Sequence, residues 1–548
     1  MASLCFLVVA LVLQPFHSAA SPAGGAASPT VTLDNGTLIG IAFGGVNKFL
    51  GIPFAQPPVG DLRFRLPQPN NPYTGTHTVE AFGPSCPQQA VTLPIPETLA
   101  QDAVDFLVNT IYDAIFPDSE DCLTINVVLP ASATPTSKLP VVAWIFGGGF
   151  ELGGTSTYDG AVIVQRSIDI GQPVVYVSMN YRLSAFGFLA SQEVKEEGVG
   201  NLGLQDQRQA LRWIQKYISA FGGDPTKVTI WGESAGAISV SLHLLTNGGN
   251  TDGLFRAAFM QSGSPIPVGD ISHGQPYYDD LVFRTGCNGT SDTLQCLRQV
   301  PYNTLKAAMD KSPSIFAYQS LVLAWLPRAD GVFLTDIPQK LVQAGSVAAI
   351  PFITGDCDDE GTLFSLSTLN ITTDEQVHDY MHAIYLPTAS NDEINQLLDL
   401  YDDDIVDGSP FDTGDLNALT PQYKRLAAIQ GDVVFQAPRR FFLQQRSGKQ
   451  NTWSFLSKRL KALPALGSVH GSDILNVYGP GDMTDYLVRF ATNLDPNGGS
   501  NLNWPKYTTA SPNLLTFLDG LVPQTITPDT YRADGFTYLT QLSLQHPI

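Results

Sequence analysis

Five short apolar runs, rich in β-branched and aromatic residues, most constrain what this 548-residue chain can fold into. They are PVVAWIF (140–146), PVVYVSMNY (173–181), KVTIWG (227–232), IPFITG (350–355) and TWSFLSK (452–458). Near-continuous apolar runs suit strands buried on both faces, the condition inside a parallel or mixed sheet covered by helices. Between them, GLQDQRQALRWIQKYISAF (203–221) sets Leu204, Ala210, Leu211, Ile214 and Ile218 on one helical face. Strand runs alternating with helical ones predict an α/β protein with a large, mostly parallel central sheet flanked by helices. No repeat, charge run or linker interrupts the texture after Val31, so residues 31–548 are expected to form one domain.

The N-terminus reads differently. Residues 1–20 carry an apolar stretch from Leu4 to Leu13 and then Ser18-Ala19-Ala20, the shape of a secretory signal peptide. Residues 21–30, SPAGGAASPT, are expected to be a disordered leader. Ten apolar residues are too few to cross a bilayer, and no other run approaches that length, so no integral span is expected. Removal of Cys5 with the signal leaves five cysteines, which an oxidising compartment would pair as four and one. Sequons at Asn35, Asn288 and Asn370 offer glycan sites. A net charge of −21 repels phosphate backbones and anionic membranes, which argues against both as partners.

Chemistry first shows itself in TIWGESAGAIS (229–239). A strand runs into Gly-x-Ser-x-Gly and a helix-tolerant segment follows. So tight a strand-to-helix turn brings two backbones almost into contact; Gly232 and Gly236 supply the missing side chains, and Ser234 projects in a strained conformation. The first helical N–H groups, that of Ala235 among them, point at whatever sits on the serine oxygen. A helix-capping serine is the plainer alternative. Upstream, WIFGGGFELGG (144–154) ends a strand in three glycines, which let backbone N–H groups approach an oxyanion with no Cβ in the way.

A serine needs a base, and the base an orienting acid, in the order Ser, Asp/Glu, His for such a strand–turn–helix. His470 lies in LGSVHGSDI, a Gly/Ser-rich loop soon after the strand run 452–458. His378 and His382, four apart in DEQVHDYMHAIY, could be read as a zinc pair. The glutamate of a zinc protease motif is missing, with Asp379 in its place, so they are expected to be half-buried helix histidines and no metal is expected. His546 falls at the C-terminal end, where chains fray. For the acid, DCDDEGT after IPFITG offers Asp356, Asp358, Asp359 and Glu360, and spacing does not choose among them. Most must be solvated turn carboxylates.

With these pieces assembled the sequence resembles the type-B carboxylesterase/lipase family of the α/β-hydrolase fold, and within it the secreted fungal lipases and sterol esterases. The marks are FLGIPFAQPPVGDLRF (49–64), SEDCLTINV (119–127), WIFGGGFELG (144–153), NYRLSAFGFL (180–189), GNLGLQDQRQALRW (200–213), FGGDP (221–225), GESAGAIS (232–239), GDCDDEGTLF (355–364) and GSVHGSDI (467–474). The resemblance implies Ser234 as nucleophile, Glu360 as acid and His470 as base, with oxyanion donors at Gly148, Gly149 and Ala235. It implies disulfides Cys86–Cys122 and Cys287–Cys296, leaving Cys357 single, and needs no cofactor. The fold also hosts catalytically dead adhesion proteins, but those typically lose the nucleophile.

The segment between Cys86 and Cys122 bears on the substrate. In PETLAQDAVDFLVNTIYDAIF, Leu99, Ala103, Leu107, Ile111 and Ile115 form one stripe, with Asp102, Asp105, Asn109 and Asp113 opposite and Phe116 an exception. Such a helix is either packed permanently on the core or, as its length and tether resemble, a lid at about 87–121 that turns its apolar face to lipid. The lid reading points to hydrophobic esters (triacylglycerols or sterol esters) at lipid–water interfaces; the alternative is a carboxylesterase for short soluble esters. An exposed lid is also a surface on which two molecules could pair. Phe364, four residues past Glu360, is a candidate for the acyl tunnel, against simple core packing.

Overall fold

The computed structural model describes residues 28–97, 99–111 and 118–548. In chain order the strands begin with β1 (Thr30–Leu33), β2 (Asn35–Ile39), β3 (Ile41–Phe43), β4 (Val46–Pro53) and β5 (Thr74–Thr78). Next come β6 (Thr124–Pro130), β7 (Leu139–Ile145), β8 (Val175–Met179), β9 (Gly223–Glu233) and β10 (Ala257–Gln261). The last are β11 (Phe352–Cys357), β12 (Thr452–Lys458), β13 (Asn513–Leu518) and β14 (Gln524–Pro528). The expected signal peptide, the expected leader up to residue 27, and Ile115, Phe116 and Asp113 of the apolar-stripe segment lie outside the described residues.

The five apolar runs become β7, β8, β9, β11 and β12, buried along nearly their whole length. They lie in an 11-stranded sheet of order β14-β13-β12-β11-β10-β9-β7-β8-β6-β4-β3. From β13 to β8 every neighbour is parallel, and the flanks are antiparallel. Parallel neighbours need crossovers, and the helices that make them cover both faces, which is why these strands carry no polar alternation. A second sheet of β1, β2 and β5 stands apart. The parallel order puts the C-terminal ends of β7 and of β9 through β13 on one edge, where ligands of such sheets bind.

The helical segment forms residues Leu202–Tyr217 and then tightens into a 3-10 turn, Ile218–Phe221. β8 is shorter than its apolar run: it ends at Met179, and the next residue, Asn180, donates its N–H to Thr124 O at 3.0 Å while its carboxamide oxygen accepts from the N–H of Thr155 at 3.1 Å. β1 begins at Thr30, the last residue of the expected leader, and the carbonyl of Pro29 accepts from Gly40 N–H. Nor does the C-terminus fray. The carbonyl of Ile548 accepts from Gly269 N–H and the Arg328 guanidinium, and His546 contacts Thr388 Oγ1 at 2.8 Å.

Cys86–Cys122 and Cys287–Cys296 are disulfide-bonded, and Cys357 is a buried free thiol. Asn35, Asn288 and Asn370 are exposed. No helix among the described residues is long and apolar enough to cross a membrane.

Candidate active site

Ser234 is the first residue after β9 and precedes the helix Ala235–Gly249, with φ +54° and ψ −126°. A non-glycine residue in that region is strained, and it persists because the packing around it leaves no alternative. Each flanking glycine has a reason. A Cβ on Gly232 would strike the backbone of Gly236, and one on Gly236 would strike the carbonyl of Ile145 at the end of β7. The serine therefore stands at the point where strand, helix and the neighbouring strand come closest.

His470 Nε2 lies 2.8 Å from Ser234 Oγ, and its Nδ1 is in short contact with Glu360 Oε2. The carboxylate can only accept, so in the neutral form of the ring the proton sits on Nδ1 and Nε2 is free to accept the serine proton. Glu360 Oε1 in turn accepts the N–H of Cys357 at 2.6 Å. Two residues far apart in sequence meet because their loops form one rung: Asp359 and Val469 pair as a β-bridge, and Asp359 N–H donates to Ser468 O at 3.1 Å. The next residue of each loop is Glu360 and His470.

The other carboxylates of DCDDEGT are buried rather than solvated, a correction to the expectation from sequence. Asp356 pairs with Arg439 at 2.8 Å and Asp358 with Lys458 at 3.4 Å. Asp359 takes Lys461 at 2.7 Å and the N–H groups of Ser468 and Phe411 at 2.7 and 2.8 Å. Each has a structural partner, and Glu360 is the member that meets the imidazole.

Burial alone would discharge His470, but the Glu360 charge and hydrogen bond, with Glu233 and Asp473 nearby, outweigh it and raise the ring to about 9. The site thus favours the imidazolium that would form when the serine gives up its proton. Glu233, beside Ser234 in the motif itself, was not singled out from sequence. Its Oε1 is 3.6 Å from His470 Nε2, and burial pushes its carboxyl up to about 8. Asp473 is pushed up to about 6, again chiefly by burial, with Gln261 donating to it at 2.8 Å.

The three glycines after β7 close on the serine. A Cβ on Gly147 would sit 2.6 Å from the Glu233 carbonyl and 2.8 Å from Ser234 Cβ, so this loop reaches Ser234 only as glycine. Gly148 and Gly149 follow with φ +112° and +64°. The N–H groups of Gly148, Gly149 and Ala235 have no acceptor among the described residues, which leaves them available to a ligand. Beneath the loop, buried Glu151 accepts the N–H of Ile315 at 2.8 Å, a support that sequence reasoning missed.

Phe364 and Phe435 pack on His470, their ring centroids 5.2 and 4.6 Å from the imidazole. Phe435 carried no signal in the sequence, being one aromatic in a helical stretch. His378 and His382 stack half-buried, and no group of three metal-binding side chains occurs among the described residues. The Cys357 thiol is raised by burial and packs near Ser472 and Ser262, 3.4 and 3.8 Å away. It behaves as a small core residue.

In the disulfide-tied segment Leu99 is buried just before the helix Gln101–Ile111, which buries Ala103 and Leu107 and exposes Asp102 and Asp105. Its stem is fastened to the glycine loop: Gln88 and Gly153 exchange hydrogen bonds of 3.2 and 3.1 Å, and Gln89 N–H donates to Glu151 O at 2.9 Å.

Fold and site together define an α/β-hydrolase. The chain belongs to the carboxylesterase family, whose model matches residues 27–530, and it is a carboxylic ester hydrolase. It is 45% identical over 530 residues to Lipase 2 of Diutina rugosa, covering 94% of this chain and 96% of the other. It is 40% identical to a secreted triacylglycerol lipase of Gibberella zeae, covering 94% of this chain and 90% of that one. The crystal structure of Aspergillus niger EstA superposes with a TM-score of 0.80 at 27% identity, covering 95% of this chain and 99% of that one.

Proposed function

We propose that this protein is a secreted lipase that cleaves water-insoluble carboxylic esters through an acyl-enzyme on Ser234. One observation carries the reading: a single imidazole bridges Ser234 Oγ and the buried Glu360 carboxylate. His470 takes the serine proton as Oγ attacks the ester carbonyl, and Glu360 holds the ring and balances its charge. The developing oxyanion is received by the N–H groups of Gly148, Gly149 and Ala235, where each donor is worth about 2.7–4 kcal/mol. His470 then protonates the departing alcohol. Water, deprotonated by the same ring, releases the acid. Phe364 flanks the acyl chain as it leaves the reaction centre.

The helix Gln101–Ile111 is the lid of this reading, shut in water with Ala103 and Leu107 inward. Turning out each large side chain costs about 1.5–3 kcal/mol in water, a penalty that an oil surface removes. Secretion agrees with the two disulfides and with the name of the Gibberella zeae relative. Ser234→Ala should lower ester turnover by at least about a thousandfold with the fold intact. Rates on triacylglycerols and sterol esters, dissolved and emulsified, test the substrate class. A steep gain on emulsions is expected; equal rates on short soluble esters with no such gain would favour the carboxylesterase reading.

A further inference from the structure

The turn between β13 and β14, residues 519–523, projects from the sheet edge that also bears the site, since β13 runs parallel to β12, β11, β10 and β9. At its tip Leu521 is fully exposed (102%) and Val522 is 65% exposed. Two more exposed leucines, Leu475 in the helix Ile474–Tyr478 and Leu502 in a loop, stand on segments tied to the turn and to the start of β14. Arg459 donates to Asn476, next to Leu475, at 2.7 Å and to the carbonyl of Pro523 at 3.5 Å. Gln524 donates to Asp482 at 2.7 Å and accepts the N–H of Leu502 at 3.1 Å. The cations beneath are neutralised, Arg459 by Asp482 and Lys461 by Asp359, each at 2.7 Å, and Lys461 N–H donates to Asp519 at 3.3 Å. Nothing in the function above uses this patch.

We propose that this tip is a lipid wedge: Leu521 and Val522, flanked by Leu475 and Leu502, enter the surface of the ester substrate and hold the catalytic edge against it, independently of the lid. The inference rests on the lipase reading and names the surface it works on. A protein partner would have to offer a pocket cut for a projecting turn, whereas a fluid acyl phase accepts it as it is. With no unpaired cation at the patch and a net charge of −21, the matching surface is neutral or zwitterionic rather than anionic.

The test uses the full-length protein carrying Ser234→Ala, so that binding is read without turnover, with and without Leu521→Ser and Val522→Ser. Flotation with phosphatidylcholine vesicles and with a triacylglycerol emulsion should show partition falling at least about tenfold on replacing the two side chains. In the active background the same pair should lose a similar factor on dilute emulsion and nothing on a dissolved short ester. Unchanged partition overturns the wedge, as does preference for phosphatidylglycerol vesicles or self-association that the double substitution abolishes. Failure of the lipase reading alone would show as tip-dependent vesicle binding with no rate gain on emulsions. A rate gain that survives the double substitution would instead count against the tip.

Discussion

Gly147 shows what a single atom decides in this site. Its missing Cβ is what lets the glycine loop lie against Glu233 and Ser234. Gly147→Ala should push the Gly148 and Gly149 donors off the oxyanion and cost about 2.7–4 kcal/mol of transition-state stabilisation, a fall in kcat with KM nearly unchanged. Steady-state kinetics check this; a change in KM alone would argue against it. Motif residues of this kind were legible in the sequence because a tight corner demands glycine whatever surrounds it. Glu233, Asp473 and Phe435 were not, because their importance lies in standing near His470, and nearness across distant segments leaves no local trace. Among the four carboxylates of the acid loop, composition was equally silent: what separates Glu360 from Asp359 is which basic group each meets.

Among the elements, the alternation of strand and helix and the α/β class were readable from apolar periodicity alone. The edges of elements were less so, since β8 ends at Met179 where its apolar run continues, with the Asn180 side chain turned to Thr155. The helix Gln101–Ile111 has a pattern that serves a permanent surface helix as well as a lid, and one arrangement of its stripe fits both. Leu107 separates them. Leu107→Asn puts a polar amide into the buried stripe. If the helix is a lid, turnover of dissolved esters should rise severalfold while the melting temperature of the main transition hardly moves. If it is a fixed part of the core, the melting temperature should fall and the rate should not rise.

On the scale of the whole molecule, the far end of the sheet is held by a buried charge cluster. Asp529 accepts from Arg439 at 3.0 Å and Arg440 at 2.7 Å, all three being buried. Burial opposes its charge, but the two guanidinium groups prevail and lower its carboxyl to about 2. A depressed folded-state value stabilises the protein fully above the unfolded value near 4 and is lost as pH falls toward 2, worth roughly 2 kcal/mol. Asp529→Asn should cost about 3–5 kcal/mol at pH 7, because Arg439 is left underpaired in the interior, and much less at pH 2. Denaturant titrations of both proteins at the two pH values check the sign.

The rung that joins Asp359 to Val469 carries a consequence for how this molecule fails. Glu360 and His470 ride on one short ladder, clamped by Lys461, and neither can wander while the other stays. Heat should therefore not produce a folded but idle form. Activity should persist at full strength and then vanish along the same curve as the structure.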